Sequence, residues 1–248
     1  MSAQDFLDYC GSPKEPIRLD PELAPRFAAR VPTDLVSFWI DEGIGSYADD
    51  NYRTCTPDLF DPLLSILLAK SVELRPDDLA AIGYSCLGCI DLWHRAGRHF
   101  VYSMDVGLLI DMTSKNETEP LPYDLAALYA AADTPLPDDP IEGFLSSRSR
   151  PEDVWMILMS GASPDGYDLI EDDDLRPLVP QLQTSYGGLA PGEIYLRRDL
   201  RGPHLAQSYE RINLSDAQRL LPETVLYSRS IEIDGNREEV SVRIPVTG

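Results

Sequence analysis

A chain of 248 residues with 42 acidic and 21 basic side chains has a formal charge of −21; it repels polyphosphate, so a basic nucleic-acid binder is excluded. Its length fits one large or two small domains, and 43% apolar content marks a folded chain, not a disordered one. The opening MSAQDFLDYC has no basic stretch ahead of an apolar one, the run at 63–69 is split by Ser65, and four cysteines are too sparse for a disulfide framework; a cytoplasmic protein without a membrane span is expected.

In chain order, Thr33-Asp34 precedes Leu35, Val36, Phe38, Trp39 and Ile40, and Gly43 ends the run, which predicts a short, largely buried helix. Residues 43–56 read as two short strands around Asp49, Asp50 and Asn51, as a hairpin or a broad loop, with Tyr47 and Tyr52 flanking the turn. Thr56-Pro57 opens the next helix, and Pro62 delays or kinks its start. Over 79–112 the texture becomes β, with a turn at 96–98, predicting antiparallel strands packed on helices. The polar, proline-bounded stretch 113–122 is the expected boundary between lobes. Beyond it, 123–133, 141–147 and 154–159 read as helices, Gly187-Gly188 and Pro191-Gly192 mark turns, and Ser215 caps a short helix ending near 221. Val225, Tyr227, Arg229, Ile231 and Ile233 alternate with polar neighbours, Asp234-Gly235 turns, and Val240, Val242, Ile244 and Val246 alternate again; this is a β-hairpin. The expectation is an α+β, two-lobed chain with domains 1–120 and 121–248.

The negative charge is unevenly placed. Residues 121–174 hold 13 acidic side chains against Arg148 and Arg150, and 41–91 hold 10 against Arg53, Lys70 and Arg75, while 175–248 hold 9 of each sign. Evenly spread charge serves solubility; only a cluster selects a partner.

Chemistry is sparse. Cys86, Cys89, His94 and His99 have the spacing of a zinc knuckle, but the residues between them are apolar and strand-like, and a knuckle reads nucleic acid. A hairpin with core cysteines and rim histidines fits better. Neither a G-x-S-x-G elbow nor a glycine-rich phosphate loop occurs, and no cysteine sits in a basic setting that would activate it. A binding protein without catalytic residues, metal or cofactor is therefore expected. An enzyme that uses carboxylates with His94 or His99 on a metal, and a regulatory scaffold, are the alternatives.

The segment VPTDLVSFWIDEGIGSY at 31–47 and the later IGYSCLGCIDLWHRAGRHFVY at 82–102 resemble the GAD-like domain family. Pro32, Leu35, Trp39, Gly43, Gly45, Tyr47, Leu87, Gly88 and Trp93 carry the likeness, with the family's acidic residue displaced to Asp91. GGLAPGEIYLRRDL at 187–200 resembles the C-terminal domain of Tdi-type immunity proteins of type VI secretion systems, through Gly187 or Gly188, Leu189, Glu193, Ile194 and Tyr195. A yeast-type cell-wall regulator family has a similar Trp and Gly pattern. The resemblance implies a cytoplasmic antidote that binds and silences a cognate secreted toxin, typically a DNase, with its motif residues shaping core and turns. An acidic protein can occupy a nuclease's positive cleft in place of phosphate. The expected partner-binding residues are Asp49, Asp50 and Tyr52 at the turn, Asp138, Asp139, Tyr167, Glu171, Asp172, Asp173 and Asp174 in the acidic stretch, and Tyr186.

Overall fold

The computed structural model describes residues 2–112, 154–162, 178–197, 205–217, 221–233 and 236–246. Helix α1 (Ala3–Cys10) starts on a capping box: the Asp5 backbone N–H donates to Ser2 Oγ at 3.3 Å, and the Ser2 N–H donates to Asp5 Oδ2 at 2.7 Å. Its buried residues, Phe6 and Cys10, lie four apart and so share one face. Strand β1 (Lys14–Ile17), α2 (Ala24–Ala28) and α3 (Thr33–Asp41) follow, and α3 buries Leu35, Val36, Phe38 and Trp39 as its pattern predicts. Gly43, with φ 102°, ends that helix where a side chain would strike Pro16 Cβ at 2.8 Å. The two short strands expected next are β2 (Ile44–Tyr47) and β3 (Tyr52–Thr54), which pair antiparallel.

Pro57–Leu59 forms a single 3-10 turn, and α4 (Asp61–Leu67) begins only after it, with Pro62 in its first turn where a missing N–H is harmless. Four consecutive strands then build an antiparallel meander: β4 (Leu79–Ser85), β5 (Cys89–His94), β6 (Arg98–Ser103) and β7 (Leu108–Asp111). Next come α5 (Val154–Ala162), α6 (Leu178–Tyr186), β8 (Glu193–Arg197), β9 (Tyr209–Asn213), α7 (Leu214–Ala217), β10 (Thr224–Ile233) and β11 (Asn236–Pro245). The helices expected at 123–133 and 141–147 and the boundary stretch 113–122 lie outside the described residues.

Among the described residues nine strands form one sheet in the order β1-β2-β3-β4-β5-β6-β7-β10-β11, and β8 and β9 form a separate antiparallel pair. Every neighbouring pair of the large sheet is antiparallel except β7 and β10, which run parallel with Leu108 beside Leu226 and Ile110 beside Ser228. Strands from both sides of residue 120 thus share one hydrogen-bonded sheet, and the fold is mixed α+β, with the C-terminal hairpin as its last two strands.

Both faces of the central strands are covered, so β4 is buried along nearly its whole length. On one face Phe6, Phe38, Trp39, Tyr47, Trp93 and Trp155 form a core with α1, α3 and α5. Trp155 meets Phe38 edge-on at 5.1 Å, which seats α5, from beyond residue 120, on the N-terminal helices. On the other face α4, β8 and the terminal hairpin cover Leu92, Phe100, Tyr102 and Leu109. A register shift in β4 between Ala81 and Gly83 lets Leu79 and Ala81 share this second face with Tyr84 in spite of the changed parity. Among the described residues no helix is long and apolar enough to cross a membrane.

Candidate partner-binding site

The turn between β2 and β3 is unusual in its backbone. Ala48, Asp49 and Asp50 have φ of 49°, 54° and 71°, three successive non-glycine residues in the left-handed region. Each costs about 1 kcal/mol relative to an ordinary conformation, less for aspartate than for alanine. Contacts from distant elements hold the turn. The Cys86 N–H donates to the Asn51 carbonyl at 2.8 Å, Gln183 Nε2 on α6 donates to the Asp49 carbonyl at 2.9 Å, and Arg53 Nη2 donates to the Leu189 carbonyl at 2.5 Å.

The carboxylates of the turn face outward and sideways. Asp49 has 95% of its side chain exposed, and Asp50 has 25%. Lys14 of β1 sets its ammonium 3.1 Å from Asp50 Oδ2 and 3.4 Å from Asp49 Oδ1, while Arg53 Nη2 lies 3.8 Å from Asp50 Oδ1. Burial alone pushes the Asp50 carboxyl up, but the Ser46 hydroxyl and the Lys14 ammonium beside it outweigh that and hold it below its ordinary value. The hydrogen bond to Asp50 raises the Lys14 ammonium correspondingly. Beside the turn opens a cleft of about 520 Å³, whose wall includes Tyr9, Cys10, Lys14, Ser46, Asp49 and Asn51. Burial pushes the Cys10 thiol up to about 11, so it is no nucleophile at neutral pH.

Of the expected binding residues, Asp49 lines this cleft, and Asp50 stands beside it, joined to the cleft's Lys14. Tyr186, at the end of α6, is half-buried; its hydroxyl donates to the Ala206 carbonyl at 3.3 Å and its ring lies 6.5 Å from that of Tyr195. Tyr52 needs correction as an aromatic anchor, because it is fully buried and presents no surface to a partner. Its place directly opposite Tyr47 turns both rings into the helix-covered core. Asp138, Asp139, Tyr167, Glu171, Asp172, Asp173 and Asp174 lie outside the described residues.

Tyr52 belongs instead to a polar cluster that sequence reasoning missed. Its hydroxyl donates to Asp91 Oδ2 at 2.7 Å, and His99 Nε2 lies 3.0 Å from Asp91 Oδ1; the three residues are at most 6% exposed. Two glycines make the room. A side chain at Gly83 would strike the Tyr52 ring, and one at Gly161 of α5 would strike both Asp91 and Tyr52. The signal available in the sequence was an aspartate amid apolar strand residues, since a carboxylate there must find buried partners.

The zinc-knuckle spacing also resolves. Trp93 pairs directly with His99, while His94 packs against Phe100, so the two histidines face opposite sides of the sheet and cannot converge on one ion. Burial pushes the Cys86 and Cys89 thiols up to about 12, so neither is a reactive thiolate at neutral pH. Among the described residues no group of three or more His, Cys, Asp or Glu is placed to hold a metal.

Residues 2–104 match the GAD-like domain family. The glycines and tryptophans that carry the likeness occupy structural positions: Trp39 is buried edge-on to Phe27 at 6.1 Å, and Gly88 has φ 83° at the β4–β5 turn. A crystal structure of Atu4351 from Agrobacterium tumefaciens has a similar fold, with a TM-score of 0.67 at 15% identity over 95% of this chain and 96% of that chain. No curated protein matches the sequence.

Proposed function

We propose that the protein is a stoichiometric inhibitor that binds a cognate toxin of the type VI secretion class, a nuclease, and covers its cationic cleft. The observation that carries this reading is the left-handed turn Ala48–Asp50 on the rim of an open cleft, with Asp49 almost wholly exposed. Ala48 packs on the helix-covered core, but the Asp49 side chain buries almost nothing in return for its strained backbone. Strain kept at an exposed charge points to a role in binding.

The charge supports the same reading. A formal −21 steers a cationic partner toward the protein and speeds encounter, which suits an antidote that must act before its target does. A footprint of about 800 Å² per partner would extend from the turn over α6, to which Gln183 joins it. The resemblance at 187–200, beside the GAD-like match, is what suggests this class of partner. No catalytic group is required, because occupation of the cleft is itself the activity.

Co-expression with the toxin encoded by the adjacent gene tests this. Growth should be restored by the protein and lost again when it is depleted. Continued killing in the presence of a stable complex would refute the antidote role.

A further inference from the structure

The cleft beside the acidic turn already holds a cation. Among the described residues that line it, Lys14 is the only positively charged one. It is a loosely held occupant. Its strand is exposed at all four positions, joins β2 at only two register points with an irregularity between them, and contains Glu15 at φ 48°. The Lys14 side chain is itself 52% exposed, so its pairs with Asp50 at 3.1 Å and Asp49 at 3.4 Å are both open to solvent on the cation's side, where such pairs are weak.

The backbone that carries the receiving carboxylates is better fixed than the strand that carries the cation. Asp49 is held through its carbonyl by Gln183, and Asp50 is flanked by Arg53 as well as Lys14. Ser46, 1% exposed, lines the cleft and closes no hydrogen bond of regular geometry, although it lies near enough to influence Asp50. Tyr9, 52% exposed, presents its ring at the same cleft. One carboxylate on the cleft wall with a second beside it, a buried hydroxyl and an aromatic ring suit a planar guanidinium, which offers five donors and stacks on rings, better than they suit a second ammonium.

The geometry points to a cleft that receives an arginine side chain of the protein partner, with Lys14 holding its place in the free protein. This deepens the inhibitor reading and rests on it. On binding, the Lys14 ammonium swings to solvent and the guanidinium takes over both carboxylates, so the charge at the turn stays balanced throughout.

The probe is Nα-acetyl-arginine methylamide, titrated into the full chain and followed by NMR, with the citrulline analogue as a neutral control of the same shape. Lys14→Met should tighten binding of the arginine probe about 5-fold, the effect of one exposed ion pair. Asp49→Asn, which suits the left-handed backbone, should weaken binding by a similar factor, and the citrulline analogue should not bind. Both positions are exposed, and matched thermal unfolding will show that the variants are folded. Unchanged affinity in either variant, equal binding of citrulline, or no saturable binding even to Lys14→Met would overturn the inference. These outcomes separate from the parent reading. Toxin binding that ignores both substitutions refutes the arginine site alone, whereas arginine binding without toxin binding refutes the inhibitor role alone.

Discussion

Replacing Gly161 by alanine sets two effects against each other, and the geometry decides which wins. Gly161 lies in α5, where alanine is intrinsically favoured over glycine by about 1 kcal/mol. The added methyl, however, would sit 2.6 Å from Tyr52 Cε2 and well inside contact distance of Asp91 Oδ2. Asp91 cannot swing aside freely, since Tyr52 holds one oxygen at 2.7 Å and His99 the other at 3.0 Å. Overpacking costs about 1–3 kcal/mol, and displacing the carboxylate from the tyrosine adds about 1.5–3 kcal/mol. Net destabilisation of about 1.5–5 kcal/mol follows after subtracting the helix gain. Urea unfolding monitored by tryptophan fluorescence reads it, because Trp155 is buried in the same helix. Tyr52→Phe keeps the ring and removes only the hydroxyl, so it should lose the hydrogen-bond part alone. A Gly161→Ala protein as stable as the parent would show that α5 does not pack on the cluster as described.

Three further outcomes are expected. His94 is held down to about 4 from an ordinary 6.5, chiefly by burial and then by Arg98, with Asp78 and Asp111 opposing. The unfolded chain therefore binds the extra proton between those values, and stability falls as pH drops from about 6.5 towards 4, by about 3 kcal/mol in all. The stability difference between wild type and His94→Phe, measured by urea unfolding across that window, should change with this slope; a constant difference would contradict it. Arg30→Met should lose about 1 kcal/mol in the same assay, because the guanidinium grips both oxygens of Asp61 at 2.8 Å and the Leu79 carbonyl at 3.0 Å; an unchanged midpoint would mean the clamp is slack. Reversing Glu171, Asp172, Asp173 and Asp174 to lysine should slow toxin association about 10-fold or more at low salt and flatten its salt dependence. An unchanged rate in stopped flow would make that cluster a solvated face only.

The sequence was most legible where burial is one-sided. In the terminal hairpin Val225, Tyr227, Val242 and Ile244 alternate because one face rests on the core, and the hairpin forms where the pattern places it. The helix of Trp39 and the meander over 79–111 were likewise readable from apolar spacing. The parallel union of β7 and β10 was not, because pairing across more than a hundred residues leaves no local signal. Helix α1 was overlooked although the Ser2–Asp5 capping box was in plain view. At the candidate site, the acidic turn was found by composition, but charge does not report backbone conformation, and Ala48 is not a residue that announces a left-handed turn. Tyr52 was misread for a related reason: an aromatic beside acidic residues looks like an anchor until strand pairing sets it opposite Tyr47 and faces it inward.

In the proposed function the protein acts by occupying a toxin's cleft. The measurement that tests this most directly titrates purified protein into the purified toxin encoded beside it, following nuclease activity and heat of binding together. Activity should fall to zero at one equivalent, at the same point where the calorimetric signal ends. Binding that saturates while activity persists, or no binding at all, would contradict it.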